Sequence, residues 1–203
     1  MSETMNETMN ETSIETLTGA IRIGLIYGST RQGRFCDTVA RWAAEEIRAQ
    51  GHYTVHIIDP GEIDLADREG TAAKPTLWQR MAQCDAFIVV TPEYNHGYPA
   101  ALKMLIDSVG PEWHAKPVAF VSYGGISGGI RAVEQLRLVF AELHAVTIRD
   151  SVSFASAWEQ FDAGGKLRQP ERAQRSMAVM LGRLRWWAIA LRDARAATPY
   201  AAA

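Results

Sequence analysis

Cysteine, charge of one sign and long apolar runs are all scarce in this sequence, and each scarcity closes a class of explanation. Only Cys36 and Cys84 occur among 203 residues. A secreted disulfide scaffold carries more, and a zinc site groups cysteine with histidine at short spacing, which neither does. The expectation is a reduced, cytoplasmic protein without a metal centre. No apolar stretch approaches the roughly 18 residues of a membrane span; residues 86–90, Ala-Phe-Ile-Val-Val, have the length of a core strand. No membrane crossing is expected. Lys and Arg number 21 against 23 Asp and Glu, a formal charge of −2, so no broad basic footprint points to nucleic acid.

The first 18 residues have no Lys or Arg and no apolar run, so they are not a secretory signal. Thr4-Met5-Asn6-Glu7 recurs as Thr8-Met9-Asn10-Glu11, a polar low-complexity stretch that buries too little to offset its ordering entropy. Its four glutamates carry all its charge, and setting them aside leaves the remainder at +2. The reading is a disordered tail over residues 1–19, one folded domain over 20–195 and a frayed end over 196–203.

What remains is rich enough in core-formers, at 47% hydrophobic overall, for a chain of this length to bury roughly 70% of its unfolded surface without disulfides or metal. Residues 20–27 form a β-branched run that stops at Gly28, as a strand does before a turn. Phe35, Val39, Trp42, Ala43 and Ile47 then fall at helical spacing. Further strands are predicted at 53–58, 86–90 and 118–121, with a fifth at 145–148 continuing irregularly to 154. Helices are predicted near 76–83, over 100–109 after Pro99, over 129–143, and on a last stripe of Met177, Met180, Leu181, Leu184, Ala188 and Leu191. Strands that are continuously apolar and alternate with helices imply a parallel sheet covered on both faces. Ligands of such sheets sit beyond the carboxyl ends of the strands, where the strand order reverses.

Three loops fall at that edge. Gly28-Ser29-Thr30-Arg31-Gln32-Gly33-Arg34 brings backbone N–H groups at a helix start, two hydroxyls and two guanidiniums, which suits a phosphate dianion; the plain alternative is a polar turn. It is not a dinucleotide fingerprint, since position 30 is Thr. Nor is it a P-loop, since Arg34-Phe35 follow the second glycine. Cys36 and Arg41 enclose four residues rather than the five of a phosphatase loop. The second loop, Pro92-Glu93-Tyr94-Asn95-His96-Gly97-Tyr98-Pro99, is stiffened by proline at both ends and offers backbone groups and tyrosines to a planar heterocycle. His96 is a candidate proton donor there, or a solvated loop residue. The third, Tyr123-Gly124-Gly125-Ile126-Ser127-Gly128-Gly129 after Ser122, has four glycines that permit close approach to a flat ring, or a merely flexible turn.

These motifs resemble the NADPH-dependent FMN reductase family of the flavodoxin-like superfamily. The resemblance runs from Ile21 to about Arg192 and is carried by Gly-Ser-Thr-Arg, by Thr-Pro-Glu-Tyr-Asn-His-Gly-Tyr-Pro-Ala-Ala-Leu-Lys over residues 91–103, and by Val-Ser-Tyr-Gly-Gly-Ile-Ser-Gly-Gly-Ile-Arg over 121–131. It implies an α/β flavodoxin-like three-layer sandwich whose five-stranded parallel sheet has the order 2-1-3-4-5. It implies that Ser29, Thr30, Arg31 and the turn through Arg34, Phe35 and Cys36 hold the FMN phosphate. Pro92, Glu93, Tyr94, Asn95, His96 and Gly97 would contact the isoalloxazine, and Ser122, Tyr123, Gly124 and Gly125 would border its other edge. Phe35-Cys36 and Met104 depart from the Ser or Asn common in the family at those places.

The implied chemistry is two-electron transfer from NADPH or NADH through FMN to a small acceptor (a quinone, a flavin, an azo compound or a metal ion) by a ping-pong scheme. Flavin N5 carries the hydride, so no side chain need be catalytic. A homodimer or dimer of dimers is implied as well, with Trp113 expected at an interface near the flavin and Trp186-Trp187 expected in the core or at an interface. Cys36 is expected to pack rather than react. Arg31 and Arg34 are also candidates for the 2′-phosphate of NADPH, in competition with the FMN phosphate. The alternatives are a flavodoxin-like electron carrier, against which the near-neutral folded region speaks, and a non-catalytic flavin-binding sensor.

Overall fold

A computed structural model describes residues 19–63 and 73–202; the polar tail lies outside the described residues. Five strands, β1 (Ile21–Tyr27), β2 (Tyr53–Ile58), β3 (Ala86–Pro92), β4 (Pro117–Gly124) and β5 (Val146–Ala155), form one sheet of order β2-β1-β3-β4-β5. Every pairing is parallel. The helices are α1 (Cys36–Ala49), α2 (Ala73–Gln83), α3 (Ala100–Asp107), α4 (Ile130–Glu142), the single turn α5 (Ala157–Gln160) and the long α6 (Glu171–Ala197).

Because successive side chains of a strand point to opposite faces, the sheet divides the core in two. Ile23, Leu25, Ile88, Val90 and Val121 pack with α1 and α6 on one face; Ile26, Phe87, Val89, Val118 and Phe120 pack with α2, α3 and α4 on the other. Gly24 matters to the second layer. A Cβ there would stand 2.7 Å from the Phe87 ring, so only glycine lets that ring lie across β1 and meet Trp113 at 4.7 Å between centroids.

The structure departs from the sequence reading in two places. Trp113 does not line an interface: it is fully buried, packed between Phe87 and Phe140, with its indole N–H donating to the Ile106 carbonyl at 3.2 Å. Trp186 and Trp187 leave the core stripe of α6, at 64% and 37% exposed, while Met177, Met180, Leu181, Leu184 and Ala188 are buried as the spacing predicts. The fifth strand continues past Ile148 to Ala155, irregularly, as the sequence reading expects. Its pairing with β4 jumps from Val118↔Thr147 to Phe120↔Ser151, a bulge that absorbs the polar Arg149-Asp150 of an edge strand.

Charge at the amino end of the sheet is paired or buried. Arg22 donates to both Asp85 oxygens, and Lys116 Nζ donates to the last carbonyls of α2, Met81 at 2.9 Å and Ala82 at 3.1 Å. Burial pushes the Lys116 amine down to about 8 and the neighbouring Cys84 thiol up to about 11. In the unfolded chain the amine titrates near 10.4, so between pH 8 and that value the unfolded state binds more protons and Lys116 contributes stability that grows with pH. Cys84 acts the opposite way above its unfolded value. The difference in urea-unfolding free energy between the native chain and Lys116→Met, in which Cys84 is common to both, is therefore expected to rise by about 2 to 3 kcal/mol from pH 8 to 10.5; a flat difference would show that the amine is not held neutral.

Candidate functional site

The three loops meet where the strand order reverses, at the carboxyl ends of β1, β3 and β4. Loop 1, residues 28–35, leaves β1 through Gly28, whose N–H donates to Val90 O at 2.8 Å. A Cβ on Gly28 would stand 2.6 Å from that same oxygen, so the turn hugs β3 only because the residue is glycine. Ser29 is fully buried and its hydroxyl shares a 2.7 Å hydrogen bond with the Tyr94 phenol. The Arg31 guanidinium lies 3.5 Å above the Tyr94 ring, a cation–π contact. Thr30, Arg31, Gln32 and Gly33 are exposed. No side chain caps α1 at Phe35, so the positive end of that helix faces the loop.

Arg34 is held from behind. Its guanidinium donates to both carboxylate oxygens of Asp59, at the end of β2, to Asp37 Oδ1 at 2.7 Å and to the Ser29 carbonyl at 2.5 Å. Those hydrogen bonds, Asp59 first, raise its pKa further. Arg34 thus braces the loop's backbone. Phe35 packs on Tyr123 and Phe161 at 5.9 and 5.6 Å. Cys36 is buried with its thiol against Val90 O, and burial raises its pKa; it packs, as expected, and is not an activated thiol.

Loop 2, residues 92–99, turns on Asn95 and His96, both with positive φ (49° and 74°). Tyr94 and Gly97 exchange backbone hydrogen bonds across them at 2.9 and 3.1 Å, the arrangement of a type I′ turn. His96 and Asn95 stand exposed at its tip, and Gln135 Nε2 of α4 holds the His96 carbonyl at 3.0 Å. Loop 3, residues 123–129, is fixed by the Gly128 carbonyl, which accepts from Ser122 and Ser153 hydroxyls at 2.8 and 2.9 Å. Gly128 and Gly129 have φ of 61° and 85°, and a Cβ on Gly129 would meet Ser122 Cβ at 2.8 Å. This is a rigid turn.

Glu93 joins loops 2 and 3. Its N–H donates to Tyr123 O at 3.0 Å, while its carboxylate accepts from the Ser127 hydroxyl at 2.7 Å and the Arg131 N–H at 3.3 Å. Arg131 Nε lies 2.7 Å from its other oxygen. A carboxylate at the start of α4 is favoured by the helix dipole. The sequence reading brought the three loops together correctly. It missed Asp59, read only as a turn residue although it ends a strand at the same edge. It also missed Ser127, Arg131 and Gln135, which act on the loops from α4 and its approach.

Comparison with known proteins shows the family and the fold. Residues 21–159 match the family model described as NADPH-dependent FMN reductase. An NAD(P)H-dependent FMN reductase of Schizosaccharomyces pombe is 37% identical over 124 residues, which cover 53% of this chain and 60% of that protein. A quinone reductase of Pseudomonas putida is 31% identical over 164 residues, covering 74% of this chain and 86% of that one. The solved flavoenzyme NAD(P)H:(acceptor) oxidoreductase FerB of Paracoccus denitrificans superposes with a TM-score of 0.69 at 20% identity, over 83% of this chain and 97% of that chain, which establishes the fold.

If Glu93 is the clamp, Glu93→Ala removes the acceptor of Ser127 and of the α4 N-terminus together. Urea unfolding is expected to show a loss of about 1 to 3 kcal/mol, with Glu93→Gln, which keeps one carbonyl acceptor, falling between. An unchanged midpoint would show that the loops hold without it.

Proposed function

The chain belongs to the NADPH-dependent FMN reductase family, and on that footing we propose that it is an FMN-dependent NAD(P)H oxidoreductase passing two electrons to a small acceptor of the quinone, flavin, azo or metal-ion kind. The observation that carries the reading is the interlocking of three loops at the β1/β3 reversal, Ser29 to Tyr94 and Glu93 to Ser127.

The residues suit the cofactor. Loop 1 offers exposed N–H groups, the Ser29 and Thr30 hydroxyls and the start of α1 to a phosphate dianion, with Arg31 beside them and Arg34 fixing the Ser29 carbonyl so that the loop keeps its shape. Residues 92–97 and 122–125 present main chain to a ring edge. At Gly125 an added Cβ would meet only Trp158, at 3.9 Å, so backbone approach there is open. Bound FMN supplies hydride acceptance at N5 and its onward transfer.

The chain's own part is to hold, orient and shield. Tyr94 is fixed at both its hydroxyl and its ring, so it forms a wall rather than a moving acid. His96, at the tip of the turn with its backbone carbonyl tied to Gln135, helps set the shape of loop 2. A ping-pong scheme, in which oxidised donor leaves before the acceptor enters, is part of this reading. The buried unpaired thiols Cys36 and Cys84 suit a reducing cytoplasm, and a homodimer follows the family. The electron-carrier and sensor readings differ from this one in turnover.

The test is a visible spectrum of the protein loaded with FMN, followed by NADPH without oxygen. Bands at about 450 nm that bleach on NADPH and return on adding a quinone are expected. Binding without bleaching would favour the sensor; no binding would end the flavin reading.

A further inference from the structure

In loop 1 Arg34 is held by Asp59 and Asp37, while Arg31 lies over Tyr94 and faces outward beside the loop that suits the FMN phosphate. FMN thus competes for Arg31, and the third phosphate of NADPH calls for cations elsewhere. A second basic surface lies on the far side of loop 3. A groove of about 890 Å³ follows the open edge of β5 from Ile126 and Ser127 to Arg168, Arg172 and Arg175. Since β5 pairs only with β4, its outer N–H and C=O groups along the groove are without a strand partner.

The wall chemistry matches a nucleoside phosphate. Arg172 and Arg175, three residues apart in the first turns of α6 and hence on neighbouring positions of one face, form no ion pair among the described residues. Arg168 is the one of the three that acts on a carboxylate, that of Asp162. Glu159 and Glu171 also line the groove; carboxylates accept from ribose hydroxyls, and arginines take a ribose 2′-phosphate. Trp158, 59% exposed, stands beside Gly125, next to the groove rather than on its wall.

We propose that this groove receives the adenosine end of NADPH, with Arg172 and Arg175 on the 2′-phosphate, so that it sets the preference of the enzyme for NADPH over NADH. The proposal rests on the oxidoreductase reading. Loop 3 is the link: it borders the ring site through Gly124 and Gly125 and opens the groove through Ile126 and Ser127. One donor molecule would thus span both.

The experiment is calorimetric titration of the full-length protein, with FMN in excess to fill loop 1, by 2′,5′-ADP and by 5′-AMP. The first is expected to bind at least about tenfold more tightly than the second. Arg172→Ala/Arg175→Ala, checked for an unchanged melting temperature, is expected to weaken 2′,5′-ADP about tenfold or more, with Arg172→Lys/Arg175→Lys recovering part of it. In steady state the double alanine variant is expected to raise KM for NADPH relative to KM for NADH, with kcat moving little. Equal binding of the two nucleotides, or 2′,5′-ADP affinity and the KM ratio both indifferent to the two arginines, would overturn the groove assignment while leaving NADPH turnover standing. Arginine-dependent 2′,5′-ADP binding without any NADPH oxidation would sustain the groove as a nucleotide site and sink the oxidoreductase reading instead.

Discussion

A strand with no side open to water organises this molecule. All seven residues of β3 are buried, with β1 and β4 on its two edges and a helical layer on each face, so its backbone polar groups have nowhere to go but the ladder and its side chains are apolar up to Thr91, whose hydroxyl donates to the Pro92 carbonyl. Polarity returns only where the strand ends. There Pro92 stands opposite Tyr123, and the next residue, Glu93, delivers a carboxylate to the start of α4. The register of three buried strands thus fixes the relative height of three loops to within a residue. Ser29 and Tyr94 meet because Tyr27 and Val90 are paired.

The two ends of the sheet use charge in opposite ways. At the amino end Arg22 faces Asp85, Lys116 covers the carbonyls that end α2, and Arg195 donates to the Ala115 carbonyl. Each cation there completes the fold. At the carboxyl end the cation nearest the backbone, Arg34, is likewise structural, and what faces outward is main-chain N–H, hydroxyl and the guanidinium of Arg31. Hydrogen-bond donors without a fixed acceptor are costly when buried and useful when a ligand supplies the acceptor; at this edge they are exposed.

The sheet, its order and the three loops were legible because each rests on local signals: continuous apolar runs, glycine and proline at strand ends, and motifs long enough to identify the family. What was illegible depends on distant pairs. Arg34 meets Asp59 across 25 residues, and nothing in Asp-Pro-Gly distinguishes a turn aspartate from one aimed at a guanidinium. Trp113, beside Glu112 and His114, reads as a surface residue until Gly24 and Phe87 are seen to make room next to it. Trp186 and Trp187 stand among the core-stripe residues in sequence, but by helical angle Trp186 falls opposite the stripe and Trp187 at its margin. The length of β5 was legible, and so was its irregularity, because an edge strand tolerates polar residues and the bulge breaks the alternation near Asp150.

Rigidity of the loops bears on where discrimination can reside. Loop 3 is held by two left-handed glycines that admit no side chain without collision, and loop 2 by a two-residue turn whose carbonyl is tied to α4. Such loops meet a flat ring with main chain, which recognises shape and edge but not the identity of a passing acceptor. On the proposed function, a site built this way would be permissive toward small oxidants that fit above the ring. The donor differs, because it carries charged groups well away from its reacting atom, and binding energy from remote parts of a substrate can be used at the reacting centre. Selectivity for the donor therefore belongs outside the loops, on a surface that side chains rather than main chain define, and the arginine-lined edge of β5 is such a surface.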